Sequence, residues 1–387
     1  MAVLRNPGAL SRQYIPDKLP HRESQLNMLQ TLLSDLRGDS PFFKVIQLIG
    51  PKGTGKTTSS HLLWLSLSQS NPNVRHVYLN LRALADPSPW VVYSQLLSRV
   101  GGKPSRSLSA GELFDKFIAT LRKEEKKIYI LTIDEADQLT SYRSLQGGQI
   151  IYNLTRLPEF GAENVGSVIF ISRDDGWASH LAPEEQSSLG SIVIKYPTYT
   201  REQLIDIILY RATEAFDAGA FPGAVAEYLA EVTETIFDSD VRKALDILLV
   251  AGRIAEAEKA ERISFEHVNK AIEQNLREKY LLSGNIEHLG RAERIVLSAV
   301  LLASRQLNQS FVTVRDIYRY VAFISENYKL RPLTSREQDE ALQRLSDEGY
   351  IQFKGPLKVY ATILPPPASR EGFPSIIEKL LDIQSAR

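Results

Sequence analysis

The feature that most constrains the fold of this chain is a glycine-rich loop, Gly50-Pro51-Lys52-Gly53-Thr54-Gly55-Lys56-Thr57. An apolar run typical of a buried strand precedes it at residues 45–49, and a helical pattern follows at residues 58–68. Glycines let the backbone approach a ligand closely, and the N–H groups at a helix start favour negative charge. Strand, loop and helix together predict a phosphate-binding loop, in which Lys56 reaches the outer phosphates and Thr57 offers its hydroxyl to Mg²⁺.

A second motif follows about 80 residues later. The apolar run at residues 128–133 is typical of a strand, and it ends in Asp134 and Glu135. A carboxylate at the end of such a strand can hold Mg²⁺, so Asp134 is a candidate metal ligand together with Thr57. Glu135 points elsewhere and can orient or deprotonate an attacking water. One carboxylate alone would indicate binding or switching, whereas the pair indicates hydrolysis.

Strands and helices alternate through the first half of the chain. Further strands are predicted at residues 76–79, 167–171 and 191–196. Five strands separated by helices predict an α/β fold with a parallel sheet covered on both faces. Both motifs fall at the carboxyl ends of strands, where the ligand site of such a sheet lies.

The pattern changes near residue 200. Helices are predicted at residues 201–218, 222–236, 239–258 and 264–279, with no strand between them. Three more helices follow at residues 293–304, 314–329 and 334–348, and then two short strands at 350–353 and 357–361 joined by a basic turn. This last succession is typical of a winged helix.

Composition excludes several classes of protein. The 387 residues contain no cysteine, which rules out disulfides and thiolate chemistry. No apolar run of about 18 residues is present, so we expect no membrane span. Residues 1–14 lack an apolar signal core and are predicted to form a loose arm of a cytoplasmic protein.

The charges balance, with 46 basic and 46 acidic residues, so a nucleic-acid-binding surface would have to be local. Basic residues of the third unit lie among acidic ones, and such charge runs are often simply solvated faces. The turn between the two short strands is the clearest candidate for a DNA contact. The DNA-binding candidates are Arg331, Arg336, Arg344, Lys354 and Lys358.

Taken in order, these motifs resemble a known family, the archaeal replication initiators related to the eukaryotic origin recognition complex. The resemblance spans nearly the whole chain, and the ordered set is more specific than the glycine loop alone. The segments that carry it are Leu19-Pro20-His21-Arg22-Glu23, Gly50–Thr57, Ile133-Asp134-Glu135-Ala136-Asp137, Ser187-Ser188-Leu189, Tyr199-Thr200-Arg201-Glu202-Gln203-Leu204 and Asp240-Val241-Arg242-Lys243-Ala244-Leu245.

The resemblance implies three domains: an AAA+ nucleotide-binding core over residues 1–199, a helical lid over 200–282 and a winged-helix DNA-binding domain over 283–387. It implies ATP or ADP with Mg²⁺ as ligands and a slow ATPase activity. It also implies three kinds of partner, namely double-stranded origin DNA, other initiator paralogues and the replicative helicase. Such a protein would be cytoplasmic and associated with the nucleoid.

The resemblance also adds residues to the nucleotide site. Arg242 would be the lid arginine that touches the outer phosphates, and a helical insertion that contacts DNA should lie within residues 82–102. The nucleotide-binding candidates are then Gly50, Pro51, Lys52, Gly53, Thr54, Gly55, Lys56, Thr57, Thr58, His21, Arg22, Tyr199 and Arg242.

Two departures from the family pattern concern turnover. Arg173 stands where members usually carry a polar sensor, often asparagine, and residues 183–189 are acidic where relatives tend to carry arginines. Both departures favour a paralogue that binds ATP tightly and hydrolyses it slowly.

Two other functions stay open. One is an AAA+ machine acting on protein, although no pore-loop signature for threading a polypeptide is evident. The other is a nucleotide-gated winged-helix regulator, which would not need a base at Glu135.

Overall fold

The computed structural model describes residues 3–38, 42–84, 86–140, 147–276, 289–307, 312–348, 350–353 and 358–361. The chain forms two compact units. One is Ile15–Tyr199, and the other combines Met1–Tyr14 with Thr200–Arg387.

A five-stranded parallel sheet forms the centre of the first unit, with the strand order β2-β3-β4-β1-β5. Every residue of β3 and β4 is buried, which explains why these strands are nearly continuous apolar runs. The strands are β1 (Lys44–Ile49), β2 (Val74–Asn80), β3 (Ile128–Asp134), β4 (Val165–Ser172) and β5 (Val193–Lys195).

Helices cover both faces of the sheet. Leucines of α1 and α2 pack on one face, and apolar residues of α3, α4 and α5 pack on the other. The predicted α/β fold with five parallel strands is therefore confirmed. The helices are α1 (Glu23–Leu32), α2 (Lys56–Ser70), α3 (Pro89–Arg99), α4 (Ala110–Arg122), α5 (Gly147–Thr155) and α6 (Pro183–Ser188).

Three of these helices bear on the sequence-based expectations. The stretch expected to hold a DNA-contacting insertion contains α3, which buries Val92, Leu96 and Leu97 in the core of the sheet. We did not predict α5 or α6. The acidic stretch at residues 183–189 forms α6, where the Glu185 carboxylate accepts a hydrogen bond from the Ala182 N–H at the helix start.

The second unit contains four helices over its described residues 200–276, as the sequence predicts. Each predicted start is within two residues of the observed one. Capping residues mark two of these starts, since Thr200 and Asp240 each accept a hydrogen bond from the first turn of the following helix. The helices are α7 (Arg201–Ala215), α8 (Gly223–Ile236), α9 (Val241–Ala257) and α10 (Phe265–Leu276).

The amino-terminal arm corrects the domain expectation. Residues 3–14 are not a loose part of the core domain but pack on the helical unit. Ala9 and Leu10 are buried, Leu4 forms a β-bridge with Phe216, and the buried Arg211 guanidinium donates to the Ala9 carbonyl. Their partners lie about 200 residues away in sequence, so local patterning could not reveal this packing.

The carboxyl-terminal elements form a winged-helix domain around one apolar cluster. The expected boundary at 282/283 and the expected turn at residues 354–356 lie outside the described residues. A two-residue strand that we did not predict pairs with β8, giving the sheet order β6-β8-β7. The elements are α11 (Arg291–Leu307), β6 (Val312–Thr313), α12 (Val314–Asn327), α13 (Ser335–Asp347), β7 (Ile351–Phe353) and β8 (Lys358–Ala361).

The packing of the arm predicts a stability effect. Leu10 is 1% exposed, so Leu10→Ala should cost about 2–5 kcal/mol of local stability. Hydrogen exchange in α7 and α9 should accelerate accordingly. Leu65→Ala makes the same change at a residue that is 36% exposed and serves as the control. Equal exchange rates in α7 and α9 for the two variants would contradict a structural role for the arm.

Candidate nucleotide-binding site

The glycine loop runs from the end of β1 to the start of α2. Gly53 and Gly55 adopt left-handed backbone conformations, with φ of 74° and 94°. A Cβ at Gly55 would also lie 3.1 Å from Leu19 Cδ2 and 3.2 Å from Tyr199 Oη. Both the conformation and the close approach therefore require glycine at position 55.

Lys56 brings a positive charge into this loop. The residue is only 8% exposed, and its Nζ donates to the carbonyls of Gly50 at 2.5 Å and Pro51 at 2.6 Å. An ammonium group buried at the start of a helix can attract phosphate oxygens. The loop and Lys56 therefore fit the phosphates of a nucleotide.

Asp134 connects the loop to the neighbouring strands. Its Oδ2 accepts a hydrogen bond from the Thr57 hydroxyl at 2.8 Å and another from the Tyr78 hydroxyl at 2.7 Å. Its Oδ1 accepts from the Glu135 N–H at 2.8 Å. The structure thus brings together the two residues predicted to hold Mg²⁺, Thr57 and Asp134. Magnesium sites commonly combine one or two protein oxygens with phosphate oxygens and water, and this pair fits that pattern.

Tyr78 is a member of the site that the sequence analysis missed. Burial and the Asp134 carboxylate raise the pKa of Tyr78, so its hydroxyl stays a donor. His61 and His76 pack against its ring, and burial lowers the pKa of His76 to about 3, which keeps that imidazole neutral. Tyr78 shares one face of β2 with His76 and Asn80, and this polar alternation was the available signal.

Glu135 lies immediately beyond β3 in a left-handed conformation, with φ of 57° and ψ of 43°. Its carboxylate forms an ion pair with Arg173, the residue that follows β4. The side chains are 19% and 29% exposed, respectively. The predicted base and the unusual sensor-position arginine are therefore in direct contact.

Arg22 is buried against the loop and holds it through hydrogen bonds to backbone carbonyls. It is 2% exposed, and its guanidinium donates to the carbonyls of Thr54, His21 and Pro197 at 2.8, 2.8 and 2.5 Å. The group also lies 3.8 Å from the centroid of the Tyr199 ring. Burial lowers the pKa of Arg22, whereas Tyr199 opposes that shift. These contacts indicate that Arg22 holds the loop in place rather than contacting a nucleotide directly.

Three other candidates lie around the same loop. Tyr199 is buried, and its hydroxyl donates to the Thr54 carbonyl at 3.2 Å. Burial raises the pKa of Tyr199 to about 12. His21 has a φ of 64° and precedes Arg22, and the half-buried Thr58 lies in the first turn of α2.

Comparison with known proteins places this site in a family. A model described as a Cdc6 AAA+ ATPase-type lid domain matches residues 205–273, and one described as an AAA domain matches residues 44–175. The ORC1-type DNA replication protein 1 of Sulfurisphaera tokodaii is 32% identical over 353 residues, covering 90% of this chain and 85% of the relative. This chain belongs to the ORC1-type DNA replication protein family.

Two further ORC1 relatives support the assignment. The ORC1-type DNA replication protein 1 of Aeropyrum pernix is 34% identical over 308 residues, covering 78% of this chain and 75% of that protein. The structure of Aeropyrum pernix ORC1 in complex with DNA superposes with a TM-score of 0.66 at 28% identity, covering 98% of this chain and 97% of that one. The AAA+ core and the helical lid predicted from the sequence are thus confirmed by the family comparisons. No helix among the described ranges is long and apolar enough to cross a membrane.

Arg242, the lid candidate of this ORC1-type protein, belongs to the second unit. It lies in the first turn of α9, and its guanidinium forms a two-point ion pair with the helix cap, Asp240, at 2.9 and 2.7 Å. Its side chain is 43% exposed. An assignment to the outer phosphates stays a prediction.

The DNA-binding candidates differ in their surroundings. Arg336 is exposed and pairs with Glu340 at 2.8 Å, whereas Arg344 pairs with Glu293 at 3.0 Å, a carboxylate whose side chain is only 10% exposed. Arg331 is exposed, and its carbonyl accepts a hydrogen bond from Arg291. Lys354 lies outside the described residues, and Lys358 begins β8.

The contacts of Arg22 predict a strict requirement for arginine. Lysine cannot reach three carbonyls in one plane, so Arg22→Lys should lower the free energy of unfolding of the core by about 2–4 kcal/mol. Arg75→Lys is the matched control, because Arg75 is exposed and donates to the carbonyls of Pro72 and Val74. Urea unfolding followed by core fluorescence measures both variants. Equal losses would show that the buried contacts of Arg22 carry no special weight.

Proposed function

We propose that this protein is an ATP-controlled initiator of DNA replication that recognises origin DNA and helps recruit the replicative helicase. The observation that carries the proposal is the joining of Thr57, Asp134 and Glu135 at the glycine loop in a chain of the ORC1-type family. A nucleotide bound there would lie beside the candidate metal ligands, Thr57 and Asp134, and the candidate base, Glu135. Other initiator paralogues are proposed partners on the same grounds.

For the nucleotide, we infer ATP or ADP with Mg²⁺. The loop Gly50–Thr57 and Lys56 would hold the phosphates, and Thr57 and Asp134 would orient the metal, which when bound neutralises phosphate charge. Arg22 and Tyr199 would keep the loop in place through their hydrogen bonds to the Thr54 carbonyl. Arg242 would contact the outer phosphates from the lid, as the resemblance implies.

For hydrolysis, Glu135 would accept a proton from the attacking water. Slow turnover is expected, because the carboxylate must do this while it is paired with Arg173. That same ion pair favours one alternative, a nucleotide-gated regulator that binds ATP without using Glu135 as a base. Loss of turnover in Glu135→Gln would exclude this alternative.

For DNA, the proposal places contacts on the winged helix and on the helix within residues 82–102. Aeropyrum pernix ORC1, the related structure, was determined with DNA. The chain has no net charge, so attraction to phosphates would come from local patches. Arg336 on α13 is exposed and would be available to read a groove.

The nucleotide assignment is tested by Lys56→Ala. Removing the buried ammonium should weaken ATP binding about tenfold or more, since a charged hydrogen bond contributes about 1.5–3 kcal/mol. Lys126→Ala removes an exposed lysine that precedes the amino end of β3, outside the loop, and should leave the affinity within about twofold. Isothermal calorimetry with ATP and Mg²⁺ gives both values. Unchanged affinity in Lys56→Ala would overturn the assignment.

The DNA assignment is tested by a salt series. A double change of Lys354 and Lys358 to Ala should weaken binding to all duplexes alike and flatten the log–log salt slope by up to about two units. Arg336→Ala should instead reduce discrimination between an origin-like and a scrambled duplex. Lys123 and Lys126, exposed on the core, provide a control double change. Fluorescence anisotropy that shows no binding by the parent at low salt would refute DNA recognition.

A further inference from the structure

The contact between Arg173 and Glu135 follows from the sheet. Asp134 and Ile171 are register partners on the adjacent strands β3 and β4, so the next residues of both strands emerge at the same edge. Glu135 and Arg173 meet there, 38 positions apart in sequence. Two buried strands fix their backbones, and the ion pair is thus part of the sheet edge rather than a chance contact of flexible loops.

The surroundings hold this pair in place. The Glu135 carbonyl accepts a hydrogen bond from the Gln138 N–H at 2.9 Å, which fixes the turn after β3. Asp175, two residues after Arg173, forms its ion pair with Lys195, at 2.5 Å, rather than with Arg173. The Arg173 guanidinium binds Glu135 through Nη2. Its Nε is buried and has no hydrogen-bond partner among the described residues.

We propose that Arg173 is a positioning residue that holds Glu135 in an ion pair and thereby slows proton transfer from the attacking water. This inference rests on the proposed ATP hydrolysis and names the residue that sets its rate. Arg173 stands where members of the family usually carry a polar sensor, and the contact gives that departure a physical consequence.

The reaction explains the direction of the effect. The water oxygen bonds to the terminal phosphorus, its proton passes to a carboxylate oxygen of Glu135, and the bond from phosphorus to the ADP oxygen breaks. Glu135 is negative before this step and neutral after it, so its attraction to Arg173 weakens as the proton arrives. The ion pair therefore stabilises the reactant state more than the transition state, which raises the barrier.

The test is a double-mutant cycle on turnover. Arg173→Gln removes the charge but keeps a polar side chain, and we expect kcat for ATP to rise about tenfold, equivalent to about 1.4 kcal/mol of barrier, with KM within about twofold. In the Glu135→Gln background the same change should have no effect, because the group through which it acts is gone.

Three further variants make the result specific. Arg173→Lys keeps the charge and should not accelerate turnover. Arg156→Gln removes an arginine from the Arg156–Glu159 pair on the surface of the core and should change nothing. Arg173→Asn is a second charge-free variant for use if thermal melting shows that Arg173→Gln does not fold.

The outcomes separate this inference from the proposed function. If Glu135→Gln loses the turnover of the parent but neither charge-free variant accelerates it, only the role of Arg173 is overturned. The role of Arg173 is also overturned if Arg173→Lys accelerates turnover as much as the charge-free variants do. It is likewise overturned if Arg173→Gln still accelerates turnover in the Glu135→Gln background. If Glu135→Gln does not reduce turnover, either alone or combined with the Arg173 variants, then Glu135 is not the base. That result would refute both hydrolysis by Glu135 and this inference.

Discussion

The Asp134 carboxylate is the interaction on which the rest of the site depends. It accepts hydrogen bonds from Thr57, Tyr78 and the Glu135 N–H, and so joins the start of α2, the strand β2 and the turn after β3. The sheet order makes this possible, because β4 lies between β1 and β3 and the chain leaves their carboxyl ends at one edge. A single buried carboxylate thus sets the positions of a candidate metal ligand and a candidate base.

Arg22 holds the loop at a second point, the Thr54 carbonyl. Its guanidinium is almost fully buried, and three backbone carbonyls and the Tyr199 ring compensate the cost of removing the charge from water. Because one of those carbonyls belongs to the loop and another to Pro197 beyond β5, any shift of the loop would disturb the segment that leads out of the first unit. The Leu19–Glu23 motif is therefore a structural support of the loop as much as a signature of the family.

The sequence predicted what local patterning can encode. Buried strands are continuous apolar runs, so β1, β3 and β4 and the ligand edge were predictable, and capping residues located the helices α7 and α9. Contacts between distant segments were not predictable. The pairing of Arg173 with Glu135 and the packing of residues 3–14 each depend on which elements become neighbours in the fold. Tyr78 was missed for a similar reason, since its face of β2 becomes meaningful only beside Asp134.

The ion pairs of the winged helix rank two of its arginines as candidate DNA contacts. Releasing Arg344 would leave the largely buried Glu293 without its guanidinium, and an unpaired buried charge is expensive. Glu340, the partner of Arg336, is 53% exposed and would be solvated by water after release, so an exchange of that carboxylate for a DNA phosphate or base costs little. Although the two arginines belong to the same helix, Arg336 is therefore the better candidate for a DNA contact, and Arg344 is better understood as a link between α11 and α13.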